Sequence, residues 1–371
     1  MTSAAATATL RQVAGEPAIR PASLWEFVRR TDLRSLVACA SKNPNAKFIV
    51  LLVSPATGRT VLAVKVPTTA AAAGAVEAEA QMLIAIHRLA PPIVETVPRV
   101  VDVIEFEGLL GIVTTAVHGT PLSTSYLRSR HTRNPAAVVA DFGAIGSWLA
   151  ALHEGTAGTC AAVDMDAGVA ARLAVRFVDL SGTEDDLGRL ADIYGRLRES
   201  NVPRTAVHGD LWLGNVLTSG ARVSGVVDWE GGELAGEPLR DLARFAHMYA
   251  LFLDRRTRVG RQVSGHSGLR AGEWGAGVAY AVDGTGWFPE LFRRFLRDGL
   301  ARLGADPASW RDLALAGIAE VAALADDDEF ARRHLELFRT LARPPAARVL
   351  RTASTPTGRE VLDDRGGAQW L

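Results

Sequence analysis

The sequence contains few cysteines and no excess of charge of either sign. Only Cys39 and Cys160 occur among 371 residues, and neither has a Cys or His at metal-ligand spacing. A disulfide framework and a cysteine metal site are therefore excluded, and we expect both cysteines to be small core residues in a reducing compartment. Acidic and basic residues number 41 each, so bulk charge gives no reason to expect nucleic acid or a membrane surface as a partner.

Long apolar runs without charge are also missing. No such run reaches the roughly 18 residues that a membrane span needs, so no span is predicted. The first 20 residues lack the apolar core of an export signal, and we expect a cytoplasmic protein. Hydrophobic residues make up 48% of the chain and charged residues 22%, a composition that is typical of globular proteins and excludes a disordered or fibrous chain.

Lysine is rare in this chain. Lys42, Lys47 and Lys65 are the only lysines, and the other 38 of the 41 basic residues are arginines. Lys65 lies within the apolar run 60–66 (TVLAVKV). Its position there is therefore not explained by a general abundance of lysine.

The pattern of turns and apolar runs divides the chain into two blocks. Residues 1–20 predict a mobile tail, and 344–371 a polar C-terminal tail. In the first block, three apolar runs predict an antiparallel meander, followed by a helix over 74–89 and two more strands. The predicted strands cover 35–41, 47–54, 60–66, 99–105 and 109–115.

The second block is mostly helical. We interpret 21–117 as a strand-rich N-lobe and 118–343 as a helical C-lobe, with a ligand site in the cleft between them. Helices are predicted over 135–153, 170–198 (two helices), 288–303, 307–325 and 328–342. The glycine-rich stretch 259–286 interrupts these helices, either as a substrate lid or as a surface loop.

The segment from Thr205 to Arg244 contains the most informative motif. Asn215 follows Asp210 by five residues, and Asp228 follows Asn215 by thirteen. The pair Ser219-Gly220 predicts a turn between two short apolar strands. Such a hairpin would bring Asn215 and Asp228 back to the same end.

These residue types match what phosphoryl transfer from a nucleotide requires. The reaction needs a group that orients the attacking hydroxyl, hard oxygen ligands for Mg²⁺, and a cation on the phosphates. Asp210 can be the base, Asn215 and Asp228 the metal ligands, and Lys65 the cation. Asp and Asn are also common turn residues, but their joint spacing with Asp228 favours a site.

The segment 208–215 (HGDLWLGN) followed by 227–230 (VDWE) resembles the signature of aminoglycoside phosphotransferases and their relatives. That superfamily includes choline, fructosamine and homoserine kinases, and the sequence of residues 211–215 is especially similar to that of fructosamine kinases. The resemblance covers about residues 35–250. It implies a protein-kinase-like bilobal α+β fold, with a small antiparallel-sheet N-lobe and a larger, mostly helical C-lobe.

The resemblance also implies roles for individual residues. Asp210 would be the catalytic base, Asn215 and Asp228 would hold Mg²⁺, and Lys65 would contact the α- and β-phosphates of ATP or, alternatively, GTP. Glu79 would position Lys65, with Glu77 as the competing candidate on the same helix.

The same resemblance implies supporting roles around the nucleotide. The backbone at Thr115 and Val117 would bind the purine, and His208 would brace the catalytic loop. Asp241 would support that loop through backbone contacts, although a helix N-terminal residue is an alternative interpretation.

The expected acceptor is a hydroxyl group of a small molecule. An aminoglycoside-type antibiotic or related amino sugar is the first hypothesis, and a fructosamine, a sugar or an amino alcohol is the alternative. A protein kinase is disfavoured because the turn 41–46 has no glycine and Trp229 follows Asp228. A non-catalytic nucleotide binder would be expected to lose at least one of the four central residues, and all four are present. The oligomeric state is not predicted.

Overall fold

The structure is a computed structural model that describes residues 21–40, 46–128 and 130–343. The predicted tails 1–20 and 344–371 lie outside the described residues, as does most of the turn 41–46. The described chain folds into the predicted α+β arrangement, with a sheet built from its first part and helices from its second.

A six-stranded sheet forms the N-lobe, with strand order β1-β5-β6-β4-β3-β2. β2, β3 and β4 make the predicted antiparallel meander. β1 adds to β5 in parallel, so one short strand makes the predicted antiparallel sheet a mixed one. The strands are β1 (Ala22–Ser23), β2 (Arg34–Ala40), β3 (Lys47–Val53), β4 (Thr60–Pro67), β5 (Val100–Phe106) and β6 (Leu109–Thr115).

Two helices accompany this sheet, α1 (Leu24–Arg30) and α2 (Ala70–Leu89). α2 begins four residues before the prediction because Thr69 caps it, its hydroxyl accepting from the Ala72 N–H at 3.1 Å. Its apolar face packs on the sheet, and Glu79 lies on that buried face. The helix thereby places a carboxylate beneath the strands.

The C-lobe is mostly helical, as predicted. Its helices are α3 (Leu122–Tyr126), α4 (Pro135–Thr156), α5 (Val169–Arg176), α6 (Thr183–Leu197), α7 (Leu239–Leu251), α8 (Ala276–Asp283), α9 (Trp287–Arg302), α10 (Trp310–Leu324) and α11 (Asp328–Ala342). Short strands lie before and between these helices, namely β7 (Thr120–Pro121), β8 (Cys160–Ala162), β9 (Asn201–Pro203), β10 (Thr205–Val207), β11 (Val216–Ser219), β12 (Arg222–Val226) and β13 (Glu233–Gly236).

By length and composition alone, α4 could cross a membrane. Helices in the cores of soluble proteins meet the same criterion, and α4 buries Phe142, Leu149 and other side chains against neighbouring elements of the C-lobe. Its Asp141 accepts a hydrogen bond from the Tyr249 hydroxyl at 2.6 Å. These contacts favour a core helix.

Two expectations from the sequence were wrong in this part of the chain. Cys160 is exposed on β8, a three-residue strand whose partner is the equally short β9, so it does not belong to a core. The side chain of Cys39 lies outside the described residues. The stretch 259–286 contains the helix α8, which its glycines conceal because glycine is a poor helix former.

Candidate active site

The predicted hairpin is present and brings Asn215 and Asp228 to one end. β11 and β12 pair antiparallel with Val216 opposite Val226, and the Val227 N–H donates to the Asn215 carbonyl at 2.9 Å. Asp228 directly follows this hairpin with a φ of +70°, a left-handed conformation that is rare outside glycine. Strained residues of this kind cluster at functional sites.

Lys65 and Glu79 form a buried ion pair. The ammonium of Lys65 lies 2.7 and 2.6 Å from the two carboxylate oxygens of Glu79. It also lies 2.7 Å from Oδ1 of Asp228, which is 163 positions away in the sequence. Burial alone would lower the pKa of Lys65, but Glu79 and Asp228 together hold it above its ordinary value, so the amine is charged.

Glu77, the competing candidate on α2, lies elsewhere. Its carboxylate accepts a long hydrogen bond from Gln81, at 3.4 Å, on the exposed side of the helix. The structure therefore brings Glu79 to Lys65, and not Glu77.

Asp228 is the centre of a larger charge cluster that the sequence did not predict. Lys47 forms an ion pair with Glu230, and its Nζ lies 3.5 Å from Oδ1 of Asp228. Burial would raise the pKa of Asp228, but Lys65 and Lys47 hold it below the ordinary value. For Glu230, burial and the neighbouring Asp228 raise the pKa. Asp228 is thus anionic, which is the form that binds a cation.

Asp210 is fixed through both of its carboxylate oxygens. The Asn215 amide donates to Oδ2 at 3.2 Å and to the Asp210 carbonyl at 2.9 Å. Nη2 of Arg244, on α7, donates to Oδ1 at 2.5 Å. The Asp210 side chain is 37% exposed, so the carboxylate is held in place and is still accessible to a substrate.

Asp241 and His208 support the loop that carries Asp210. The buried Asp241 carboxylate accepts from the His208 N–H at 2.6 Å and from the Gly209 N–H at 3.0 Å. His208 Nε2 lies 2.9 Å from the Val227 carbonyl, so Nε2 carries the proton and Nδ1 accepts from the Asp210 N–H at 3.2 Å. These are the backbone contacts that the resemblance implied.

Gly209 is required by the shape of this loop. Its φ is +82°, and a Cβ at this position would lie 2.0 Å from the carbonyl oxygen of Gly231. No side chain fits there without moving backbone.

Thr115 and Val117 lie where the two lobes meet. Thr115 ends β6, and its N–H donates to the Arg99 carbonyl at 2.9 Å. Val117 packs against the β11–β12 hairpin, since a Cβ on Gly225 would lie 2.7 Å from Val117 Cγ2. Both residues thus lie on the chain that links the sheet to the hairpin, and purine binding by their backbone stays a prediction.

The donor set around Asp228 suits a hard divalent cation. Oxygens of Glu79, Asp228 and Glu230 lie within 4.8 Å of one another. Both Glu79 oxygens accept from Lys65, whereas the lysine contacts of Asp228 and Glu230 are to Oδ1 and Oε2, so Asp228 Oδ2 and Glu230 Oε1 are the better placed ligand atoms in this group. Asn215, which the sequence also predicted, adjoins Asp210 through its amide nitrogen. Carboxylate and amide oxygens are the ligands that Mg²⁺ prefers.

Three residues of this site were missed by the sequence analysis, namely Lys47, Glu230 and Arg244. The rarity of lysine was a usable signal for Lys47, and the position of Arg244 three residues after Asp241 on one helix was a signal for a shared face. Glu230 stands in the VDWE motif itself.

The model of the phosphotransferase enzyme family matches residues 43–276, which include every predicted site residue. The chain belongs to that family. This membership confirms the prediction of a phosphotransferase of the aminoglycoside phosphotransferase type. No curated protein matches the chain by sequence.

Solved structures show the same fold. Aminoglycoside phosphotransferase APH(4)-Ia matches with a TM-score of 0.52 and 14% identity, covering 86% of this chain and 96% of that one. A thermostable mutant of that enzyme, in the apo form, matches with a TM-score of 0.50 and 16% identity, covering 84% of this chain and 94% of that one. A further variant, in a ternary complex with ADP and hygromycin B, matches with a TM-score of 0.50 and 14% identity, covering 86% of this chain and 97% of that one. The predicted protein-kinase-like fold is confirmed.

A groove of about 450 Å³ lies apart from this site, between the start of α8 and the helix α11. Glu273, Trp274 and Arg332 are among its lining residues, and none of the predicted site residues lines it. The charged residues of α11 neutralise one another, as Arg332 donates to Glu329 at 2.7 Å. The groove therefore gives no further information about the phosphate site.

Proposed function

We propose that this protein is an ATP- and Mg²⁺-dependent kinase that transfers the γ-phosphate to a hydroxyl group of a small molecule. One observation carries the proposal, namely that the Lys65 ammonium contacts Glu79 and Asp228 together, at 2.6–2.7 Å. The contact unites a cation from the N-lobe sheet with a candidate metal ligand from the C-lobe hairpin. Phosphoryl transfer requires this pair of groups side by side.

Each nucleotide-binding group has a defined place in this proposal. Lys65 would bind the α- and β-phosphates, and the backbone at Thr115 and Val117 would bind the purine of ATP, with GTP as the alternative. Asn215 and Asp228 would hold Mg²⁺, with Glu230 as a further oxygen donor. When bound, the metal supplies neutralisation of the charge on the transferring phosphates.

Asp210 would align the acceptor hydroxyl for in-line attack and accept its proton. Its two oxygens are fixed by Asn215 and Arg244, so the carboxylate needs no reorientation during the reaction. Arg244 is a positioning residue, because its contact is with Asp210.

The acceptor is proposed to be an aminoglycoside-type antibiotic or a related amino sugar, with a fructosamine, a sugar or an amino alcohol as alternatives. Family membership supports this class. A non-catalytic nucleotide binder is less well supported, because Lys65, Asp210, Asn215 and Asp228 are all present and assembled.

A panel of aminoglycosides, ketosamines, sugars and amino alcohols, scored for ADP release, tests the proposal. We expect acceptor-dependent ADP release by the wild type, and none by Asp210→Asn, which should still bind AMP-PNP. Tight AMP-PNP binding without ADP release on any acceptor would favour the non-catalytic binder. Full activity of Asp210→Asn would remove Asp210 from the mechanism.

A further inference from the structure

Lys47 and Lys65 project from the same face of the N-lobe sheet. In the antiparallel register of β3 and β4, Lys47 is opposite Pro67 and Ile49 is opposite Lys65. Lys47 and Lys65 are therefore diagonal neighbours, two positions apart along the pair of strands, and side chains at that offset share a face. Two of the chain's three lysines thus point toward one place.

Both ammonium groups reach the same oxygen atom. Oδ1 of Asp228 lies 2.7 Å from Nζ of Lys65 and 3.5 Å from Nζ of Lys47. Each lysine is also paired with its own glutamate, Lys65 with Glu79 and Lys47 with Glu230. Lys47 is only 8% exposed, so its ammonium group contacts these carboxylates in place of bulk water.

We propose that Lys47 is a second phosphate-binding residue, positioned by Glu230, that binds the terminal phosphates of the nucleotide. The proposal rests on the proposed function. A divalent cation held by Asp228 and Glu230 would reduce the negative charge that the Lys47 ammonium now contacts. Phosphate oxygens at the same place restore that charge, as charge-assisted hydrogen bonds.

The arrangement gives the two lysines different tasks. Lys65 is held by Glu79 from the N-lobe helix α2 and would serve the inner phosphates. Lys47 is held by Glu230, which follows the metal-ligand candidate Asp228 in the C-lobe. A divalent cation held by Asp228 and Glu230 would neutralise the terminal phosphates, so the lysine that is paired with Glu230 would meet the same phosphates.

The test measures the dissociation constants of adenosine, ADP and AMP-PNP with Mg²⁺, by calorimetry on the full chain. Lys47→Met keeps the aliphatic stem and removes the charge. We expect AMP-PNP to bind about tenfold more weakly or worse, as for the loss of a charged hydrogen bond, ADP to be affected less, and adenosine to stay within about twofold. Lys47→Arg should recover most of the affinity for AMP-PNP.

The matched control is Arg88→Ala, an exposed cation at the end of α2 in the same lobe, which should bind all three ligands as the wild type does. An equal loss for adenosine and AMP-PNP, or no loss for either, would overturn the role of Lys47. If Lys47→Met does not fold, Lys47→Gln takes its place, because it also removes the charge and keeps a polar end that can hydrogen-bond to Glu230. Weaker AMP-PNP binding with normal adenosine binding supports the role, and an equal loss for both, or no loss for either, overturns it. A wild type that binds none of the ligands would instead overturn the proposed function and this inference with it.

Discussion

Replacement of Glu79 by glutamine removes one charge from the buried cluster and leaves its shape. Lys65 then keeps Asp228, at 2.7 Å, as its remaining carboxylate. The lysine is 8% exposed, so water cannot replace the lost partner. The matched variant is Glu77→Gln, two residues earlier on α2, where the carboxylate faces outward.

The expected cost follows from the burial of the pair. Removing one partner of a buried ion pair costs about 3–5 kcal/mol, and the surviving contact with Asp228 places Glu79→Gln near the lower end. Glu77→Gln should change the free energy of unfolding by less than about 0.5 kcal/mol. Since Lys65 also loses its fixed position, we expect the kcat/KM for ATP of Glu79→Gln to fall at least about tenfold.

Urea unfolding and steady-state kinetics on both variants check this prediction. We expect Glu79→Gln to be the less stable protein and also the one with the lower kcat/KM for ATP. Similar behaviour of the two variants would refute this, and so would a Glu79→Gln protein that loses stability and retains the wild-type kcat/KM for ATP. The second outcome would make the Lys65–Glu79 pair purely structural.

Three further variants test separate parts of the site and fold. Arg244→Ala should lower kcat about tenfold or more and leave the KM for ATP within about threefold, because its contact is with Asp210; an unchanged kcat in steady-state assays would contradict this. Gly209→Ala should destabilise by more than about 2 kcal/mol in urea unfolding, since its Cβ would lie 2.0 Å from a backbone oxygen, and a neutral effect would contradict the loop geometry. Burial lowers the pKa of His153 to about 4 from 6.5. The contribution of the neutral imidazole to the free energy of unfolding is therefore present above pH 6.5 and is lost as the pH falls toward 4. His153→Leu should therefore flatten the decline of unfolding free energy over that range by about 3 kcal/mol in urea unfolding at several pH values, and an unchanged decline would contradict this.

Local sequence signals predicted the five long strands of the N-lobe sheet, the β11–β12 hairpin and most of the helices, because those signals act over short distances. The helix α7 and the other short strands were not predicted. The turn around residues 55–58 separates two strands of the sheet, and the turn at 219–220 separates the two strands of the hairpin. The predicted bounds of the five long N-lobe strands differ from the observed ones by one residue at most. Helix α8 was missed because glycines surround and interrupt it. Gly277 allows α8 to pack closely against Ala250 at the end of α7, since a Cβ at position 277 would lie 2.1 Å from the Ala250 carbonyl oxygen.

Contacts between distant segments were beyond the reach of the same signals. Lys47 and Glu230 are 183 positions apart, and neither residue type specifies a partner. The predicted pairing of Lys65 with Glu79 came from a family resemblance and from the offset of Glu79 to Met82 and Leu83, with Glu77 left as the competing candidate. Cys160 was misplaced because a small apolar residue is usually buried, and its short strand gave no sign of facing solvent.

The charge cluster connects the fold to the proposed chemistry. Its two lysines come from β3 and β4, and its three carboxylates come from α2 and from the segment after the hairpin. Because these groups already hold one another in fixed positions, the protein presents oriented charges before a nucleotide arrives, and this preorganisation is what electrostatic catalysis requires. The left-handed conformation of Asp228 fits the same argument, since strain persists only where the surroundings determine the backbone. Here the surroundings are the hairpin that precedes Asp228 and the Lys65 ammonium that binds its side chain, so the proposed metal site and the proposed phosphate site depend on each other.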